Sequence, residues 1–200
     1  MLALACVSAN QEYSLRLIRI NGDVIRQIDP PDGRSRMDDP AFSPDGKFLG
    51  FWAGPADGPD GGTLYTVPTA GGTPEPLLKG TEQQTTGTDA DMVYSPDGRY
   101  VAFTRRLPTA SSRSQADIFR ARTDGRDVVR LTNDTDSNQQ DPTWSPSGGE
   151  IAFASNAHTS AWPDEDIARI WTMTIDGTAQ HVLWTENATR PQGAAAWTAR

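Results

Sequence analysis

Asp39, Asp91 and Asp141 each stand three residues before an aromatic residue, in segments of the form Asp-x-x-aromatic-Ser-Pro-x-Gly. Carboxylates repeated at one structural position allow two kinds of chemistry. They can bond backbone groups where the chain enters a strand, or they can converge on the mouth of a channel. A converged ring would hold a cation, a basic peptide or a polar ligand. The fourth period carries Ala194 at this position, which would interrupt the ring.

The other residues able to do chemistry are sparse. Asp134-Thr-Asp136-Ser-Asn138 imitates the start of a calcium loop, but Gln139 stands where the sharp turn needs Gly and Ser145 where the bidentate Glu belongs. A solvated loop is expected there, and no metal or other cofactor. Of two histidines, His158 falls in a polar insert and His181 on an outer-strand position equivalent to Arg26, Glu75 and Val129, so both read as surface residues. Cys6, the single cysteine, reads as inert and buried in an apolar strand. Arg105, Arg106 and Arg113 read as a basic patch in a solvated loop running from Arg105 to Gln115. There is no Gly-x-Ser-x-Gly elbow, P-loop, His-Glu-x-x-His or Cys-x-x-Cys motif, and a non-catalytic chain is expected.

The charge narrows the partners. With 18 basic against 26 acidic residues in 200, the net charge is −8, which opposes binding to nucleic acid or to an anionic membrane surface. No apolar run approaches the roughly 18 residues of a membrane span. The N-terminal Met-Leu-Ala-Leu-Ala-Cys-Val-Ser lacks a basic start and reads as a strand rather than an intact signal peptide.

The elements that must position these residues come from internal repeats. The aromatic residues of the Asp-x-x-aromatic segments are Phe42, Tyr94 and Trp144, separated by 52 and 50 positions, with Trp197 following 53 later. After each complete segment comes an apolar triplet, Leu49-Gly50-Phe51, Val101-Ala102-Phe103 or Ile151-Ala152-Phe153. Its small middle residue fits a sheet packed closely against a neighbour. A second turn, Asn21-Gly22, Ala70-Gly71, Asp124-Gly125 and Asp176-Gly177, recurs in the same rhythm. Such pairs suit two-residue hairpins. Seven residues before each Gly stand Leu15, Leu64, Ile118 and Ile170, and six after it Ile28, Leu77, Leu131 and Leu183, all aliphatic. Each period of about 50 residues therefore holds four short antiparallel strands, the blade of an all-β propeller. The helix-tolerant stretch 157–168 contains Pro163 and reads as a loop.

The blade equivalents fall roughly at 2–38, 39–90, 91–140 and 141–190, with a further first strand at 191–200. Leu4-Ala5-Cys6 can be laid on Ile151-Ala152-Phe153 as a second strand whose first strand is missing. Two readings follow: a piece of a longer propeller, incomplete or permuted, or a small ring of four blades closed by its own ends. Open edges would invite self-association.

The segments "FSPDGKFLGF", "YSPDGRYVAF" and "PTWSPSGGEIAFASN", with hairpins of the "DIFRARTDGRDVVRLT" type, resemble the repeats of TolB-like propellers, also called WD40-like or PD40 repeats, over residues 2–198. The resemblance implies a non-catalytic module that binds a protein or peptide partner, in a periplasmic or other extracytoplasmic setting. It also implies an alternative, the substrate-gating propeller of a prolyl-oligopeptidase or dipeptidyl-peptidase type serine peptidase, whose catalytic domain would lie beyond Arg200. Fold follows from such kinship more firmly than function does.

Overall fold

A computed structural model describes residues 1–31, 33–56, 61–79, 87–108, 115–135, 137–156 and 169–183. Among them there are fifteen strands and no helix. Strands β1 (Leu2–Val7), β2 (Tyr13–Ile18) and β3 (Val24–Ile28) form a three-stranded sheet. The second sheet comprises β4 (Arg36–Phe42), β5 (Phe48–Gly54), β6 (Thr63–Pro68) and β7 (Glu75–Pro76). In the third, β8 (Thr88–Tyr94), β9 (Tyr100–Leu107), β10 (Gln115–Arg122) and β11 (Val129–Arg130) follow one another. The fourth holds β12 (Gln139–Trp144), β13 (Glu150–Ser155), β14 (Arg169–Thr174) and β15 (His181–Val182). Every pairing is between chain neighbours and antiparallel, as short turns require.

The turns dictate this meander. In the Ser-Pro-Asp-Gly turn, Gly46 N–H donates to Ser43 O, the Ser43 hydroxyl donates to Asp45 Oδ1 at 2.7 Å, and it accepts from Phe48 N–H at 2.9 Å. Ser95, Asp97 and Tyr100 repeat the arrangement, while Ser147 replaces the Asp in the third copy. The Asx-Gly turns are one residue longer than two-residue hairpins. Arg19, Arg122 and Thr174 each bond the residue four positions on and also accept from the turn glycine, leaving three residues in the loop. Gly22, Gly125 and Gly177 take positive φ, while Asn21, Asp124 and Asp176 do not. The Asx residue thus occupies an ordinary turn position and the glycine absorbs the left-handed one.

Consecutive sheets pack face to face. Leu15, Leu17 and Ile28 of the first sheet meet Leu49, Phe51 and Val67 of the second. Leu64 and Leu77 of the second meet Val101 and Phe103 of the third, and Ile118 and Leu131 of the third meet Ile151, Phe153 and Met173 of the fourth. Phe51, Phe103 and Phe153 are fully buried, each worth about 1.5–3 kcal/mol by removal from water. The small residue between large ones has the role its size indicates. A Cβ on Gly50 would lie 1.7 Å from Met92 Cε and 3.2 Å from the Tyr94 ring of the next sheet.

The register of β1 differs from the expectation by two residues. Ala5 pairs with Leu15 as Ala154 pairs with Ile170, so Leu2-Ala3-Leu4, not Leu4-Ala5-Cys6, corresponds to Ile151-Ala152-Phe153. A shift of two keeps every side chain on its face, which is why residue patterning alone left it ambiguous. Cys6 is half-buried rather than buried, because the face it shares with Leu2 and Leu4 carries no neighbouring sheet among the described residues. Stretches 157–168 and 191–200, with His158, Ala194 and Trp197, lie outside the described residues, as do Arg113 and Asp136.

Candidate functional site

Asp39, Asp91 and Asp141 occupy one position in β4, β8 and β12, the first strands of three successive sheets. Each has a positive φ, 50°, 53° and 55°, and each lies in a β-bulge, between Asp38 and Ala41, Ala90 and Val93, and Gln140 and Thr143. Asp and Asn tolerate this left-handed conformation better than most L residues, so backbone shape accounts for part of the repetition.

Electrostatics accounts for another part. The Asp39 carboxyl is pushed up to about 6, first by crowding from protein atoms that displaces water, then by the neighbouring carboxylates of Asp38, Asp91 and Asp141. The nearby backbone N–H of Asp91 partly offsets the rise. Asp141 is also raised, by burial and then by the charge of Asp91. The charges of Asp91 and Asp141 thus reach Asp39, and that of Asp91 reaches Asp141, across three successive sheets. Among the described residues, no group of three or more His, Cys, Asp or Glu side chains is arranged to hold a metal ion.

The remaining candidates are used by the fold. Arg105 and Arg106 lie in strand β9 rather than in a loop, and Arg105 is 3% exposed. Its guanidinium binds Asp89 through two bonds, Nε to Oδ1 at 2.6 Å and a second at 3.2 Å, and lies over Phe103 and Phe119. Arg105 reads as solvated in the sequence because its acidic partner sits 16 positions away on the adjacent strand, whereas Arg106 is exposed as expected. Asp117, fully buried, is similarly matched by Arg130 at 2.6 Å and Thr132 at 3.0 Å. In the calcium-like segment, the Ser137 hydroxyl donates to Asp134, and Asn138 Oδ1 accepts from Ala116 N–H. His181 is exposed at the position equivalent to Arg26, Glu75 and Val129, and its ring meets Thr172 Oγ1 and Ala179 O. A cleft of about 320 Å³ between the Ser-Pro-Asp-Gly turns of the second and third sheets is lined by Pro44, Asp45, Phe48, Thr66, Tyr94 and Asp97, and not by Asp39, Asp91 or Asp141.

No protein-family model and no curated protein matches the chain. Solved structures do. TolB from Acinetobacter baumannii superposes with a TM-score of 0.61 at 19% identity, over 92% of this chain and 41% of that one. The β-propeller domain of the Trilobed protease from Pyrococcus furiosus, described as having an open velcro topology, gives 0.58 at 13%, over 91% and 52%. The chain is a TolB-like β-propeller in fold. A prolyl endopeptidase also superposes on this propeller, at 0.55 and 15%, over 92% of the present chain and 28% of the other. The propeller thus spans about half or less of the length of each of these three proteins. Its four sheets are the blades, and β4, β8 and β12 the first strands that carry Asp39, Asp91 and Asp141.

Proposed function

We propose that the chain is a non-catalytic interaction module whose inner rim receives a basic segment of a protein or peptide partner. The observation carrying this reading is the mutual electrostatic influence of Asp39, Asp91 and Asp141, one from each of three successive blades. Asp39 and Asp141, held at a raised pKa beside a further carboxylate, gain when a lysine or arginine side chain arrives, because the incoming cation offsets the repulsion. An extracytoplasmic setting accompanies this reading through the TolB-like repeats.

Calorimetric titration with short Lys- and Arg-containing peptides tests the proposal. Binding is expected at pH 7.5, weakening as pH falls through about 6, where Asp39 takes up a proton. Replacing Asp39, Asp91 and Asp141 together by Asn should abolish it while leaving the circular dichroism intact. Lost stability with unchanged binding would assign the aspartates to the backbone alone.

A second reading, the gating propeller of a serine peptidase, draws support from the likeness to protease-associated propellers. It requires a Gly-x-Ser-x-Gly segment in the coding sequence downstream, and reading that sequence decides it.

A further inference from the structure

The three blade-to-blade contacts are built from the same two faces in the same register. The leading face presents the large residues of its second strand, Leu49 and Phe51, Val101 and Phe103, or Ile151 and Phe153, all essentially inaccessible to solvent. The trailing face of the preceding blade receives them with the aliphatic residue after its outer turn, Ile28, Leu77 or Leu131, at 2%, 2% and 6% exposure. In two of the three contacts the following blade's turn glycine closes against this residue. A Cβ on Gly125 would stand 1.9 Å from Leu77 O, and one on Gly177 would stand 2.7 Å from Leu131 O.

Among the described residues, the row of blades leaves one face of each kind without a mate. On the first blade, Leu2 and Leu4 stand where Leu49 and Phe51 stand on the second, yet both are 47% exposed, and nothing lies within 4 Å of a Cβ on Gly22. On the fourth blade, Leu183 makes the same backbone bond to Ile170 that Leu77 makes to Leu64 and Leu131 to Ile118, yet it is 57% exposed. The buried small residue Ala152 on that blade matches Gly50 and Ala102.

We propose that two copies of this chain associate head to tail, the Leu2/Leu4 face of one seating on the Leu183 face of the other. The contact repeats the internal one: Leu4 enters between Ile170, Thr172 and Leu183 of the second copy, as Phe51 does between Leu15, Leu17 and Ile28, and the Gly22 turn closes on Leu183. The occupant follows from continuity with a contact the molecule already makes three times. Because the contact is heterologous, each copy offers both halves, and using both halves twice closes a two-copy ring. The net charge of −8 sets the copies against one another at long range, so added salt should strengthen the association.

Sedimentation equilibrium of the 200-residue chain across a hundredfold concentration range, at 0.05 M and 0.5 M NaCl, tests this. Reversible association is expected for the wild type. Leu4→Glu and Leu183→Glu, both at exposed positions, should each shift it at least tenfold toward monomer with unchanged circular dichroism, whereas Phe48→Ser, exposed on the second blade, should not. An equimolar mixture of Leu4→Glu and Leu183→Glu should form a 1:1 heterodimer, since one variant retains each half of the contact. A wild type that stays monomeric throughout, or variants that associate as strongly as the wild type, would overturn the proposal. So would a mixture that fails to form the heterodimer.

Discussion

Asp39 and Asp91 both hold a left-handed backbone in the first strands of successive blades, and the carboxylate of Asp91 pushes the Asp39 carboxyl upward while its backbone N–H pulls it down. The two influences oppose one another, and the balance between them depends on pH.

That balance has a sign. The Asp39 carboxyl titrates near 6 in the folded protein against about 3.8 when unfolded, so the folded state binds the proton more tightly. Its contribution to stability is full below pH 3.8 and is lost as pH rises to about 6. Asp39→Asn should therefore raise the urea midpoint at pH 7.5 and leave it unchanged at pH 3.5. An equal shift at both pH values would show that the carboxyl is not strained in the fold.

The turn aspartates work in the opposite direction. Asp45 and Asp97 are lowered first by the hydroxyls of Ser43 and Ser95, and Asp176 is lowered to about 2, first by Thr174. Their stabilisation is present above the unfolded value near 3.8 and is lost as pH falls through their folded values. Ser43→Ala should move the Asp45 carboxyl upward in an NMR titration and make the acid limb of unfolding begin at higher pH. An unmoved Asp45 titration would show that the hydroxyl does not hold it.

Gly22 and Gly125 have similar backbone conformations and different surroundings. Both take positive φ, but a Cβ on Gly22 meets open space while one on Gly125 strikes Leu77 O. Gly22→Ala should cost about 1 kcal/mol from conformation alone, and Gly125→Ala a further 1–3 kcal/mol from the enforced separation of two blades. Equal costs in urea unfolding would mean that the outer turn does not brace the neighbouring blade. Gly50→Ala should be milder than Gly125→Ala, because the flexible end of Met92 can swing aside and the other blades carry Ala at this point.

Arg105 and Asp89 form a buried pair with side chains 3% and 6% exposed. Arg105→Met should cost about 3–5 kcal/mol by leaving the carboxylate buried without its partner, and Asp89→Asn added to it should restore part of that loss. A double variant no more stable than Arg105→Met alone would show that the stranded charge is not the cause.

Much of this molecule could be read from spacing. Two glycine turns per period, aliphatic residues at fixed offsets from them and an aromatic before each Ser-Pro are local features, and local backbone chemistry was enough to specify strands, their order and the all-β class. The His181 equivalence held for the same reason, since it counts from a turn. Offsets counted from an apolar triplet were weaker. Leu2-Ala3-Leu4 and Leu4-Ala5-Cys6 have the same alternation, and only the pairing of Ala5 with Leu15 separates them.

Relationships between strands were not legible. Arg105 has nothing nearby in the chain to mark it as buried, because Asp89 reaches it only once β8 lies beside β9. The repetition of Asp39, Asp91 and Asp141 was visible, but whether they stand apart or converge depends on how far each blade turns against the last. By itself the sequence determined the blade, since a turn and its flanking strands involve residues close along the chain. The tertiary structure alone decided which charges meet, which glycines brace a neighbour and which faces are left open, because those depend on packing between blades about 50 residues apart.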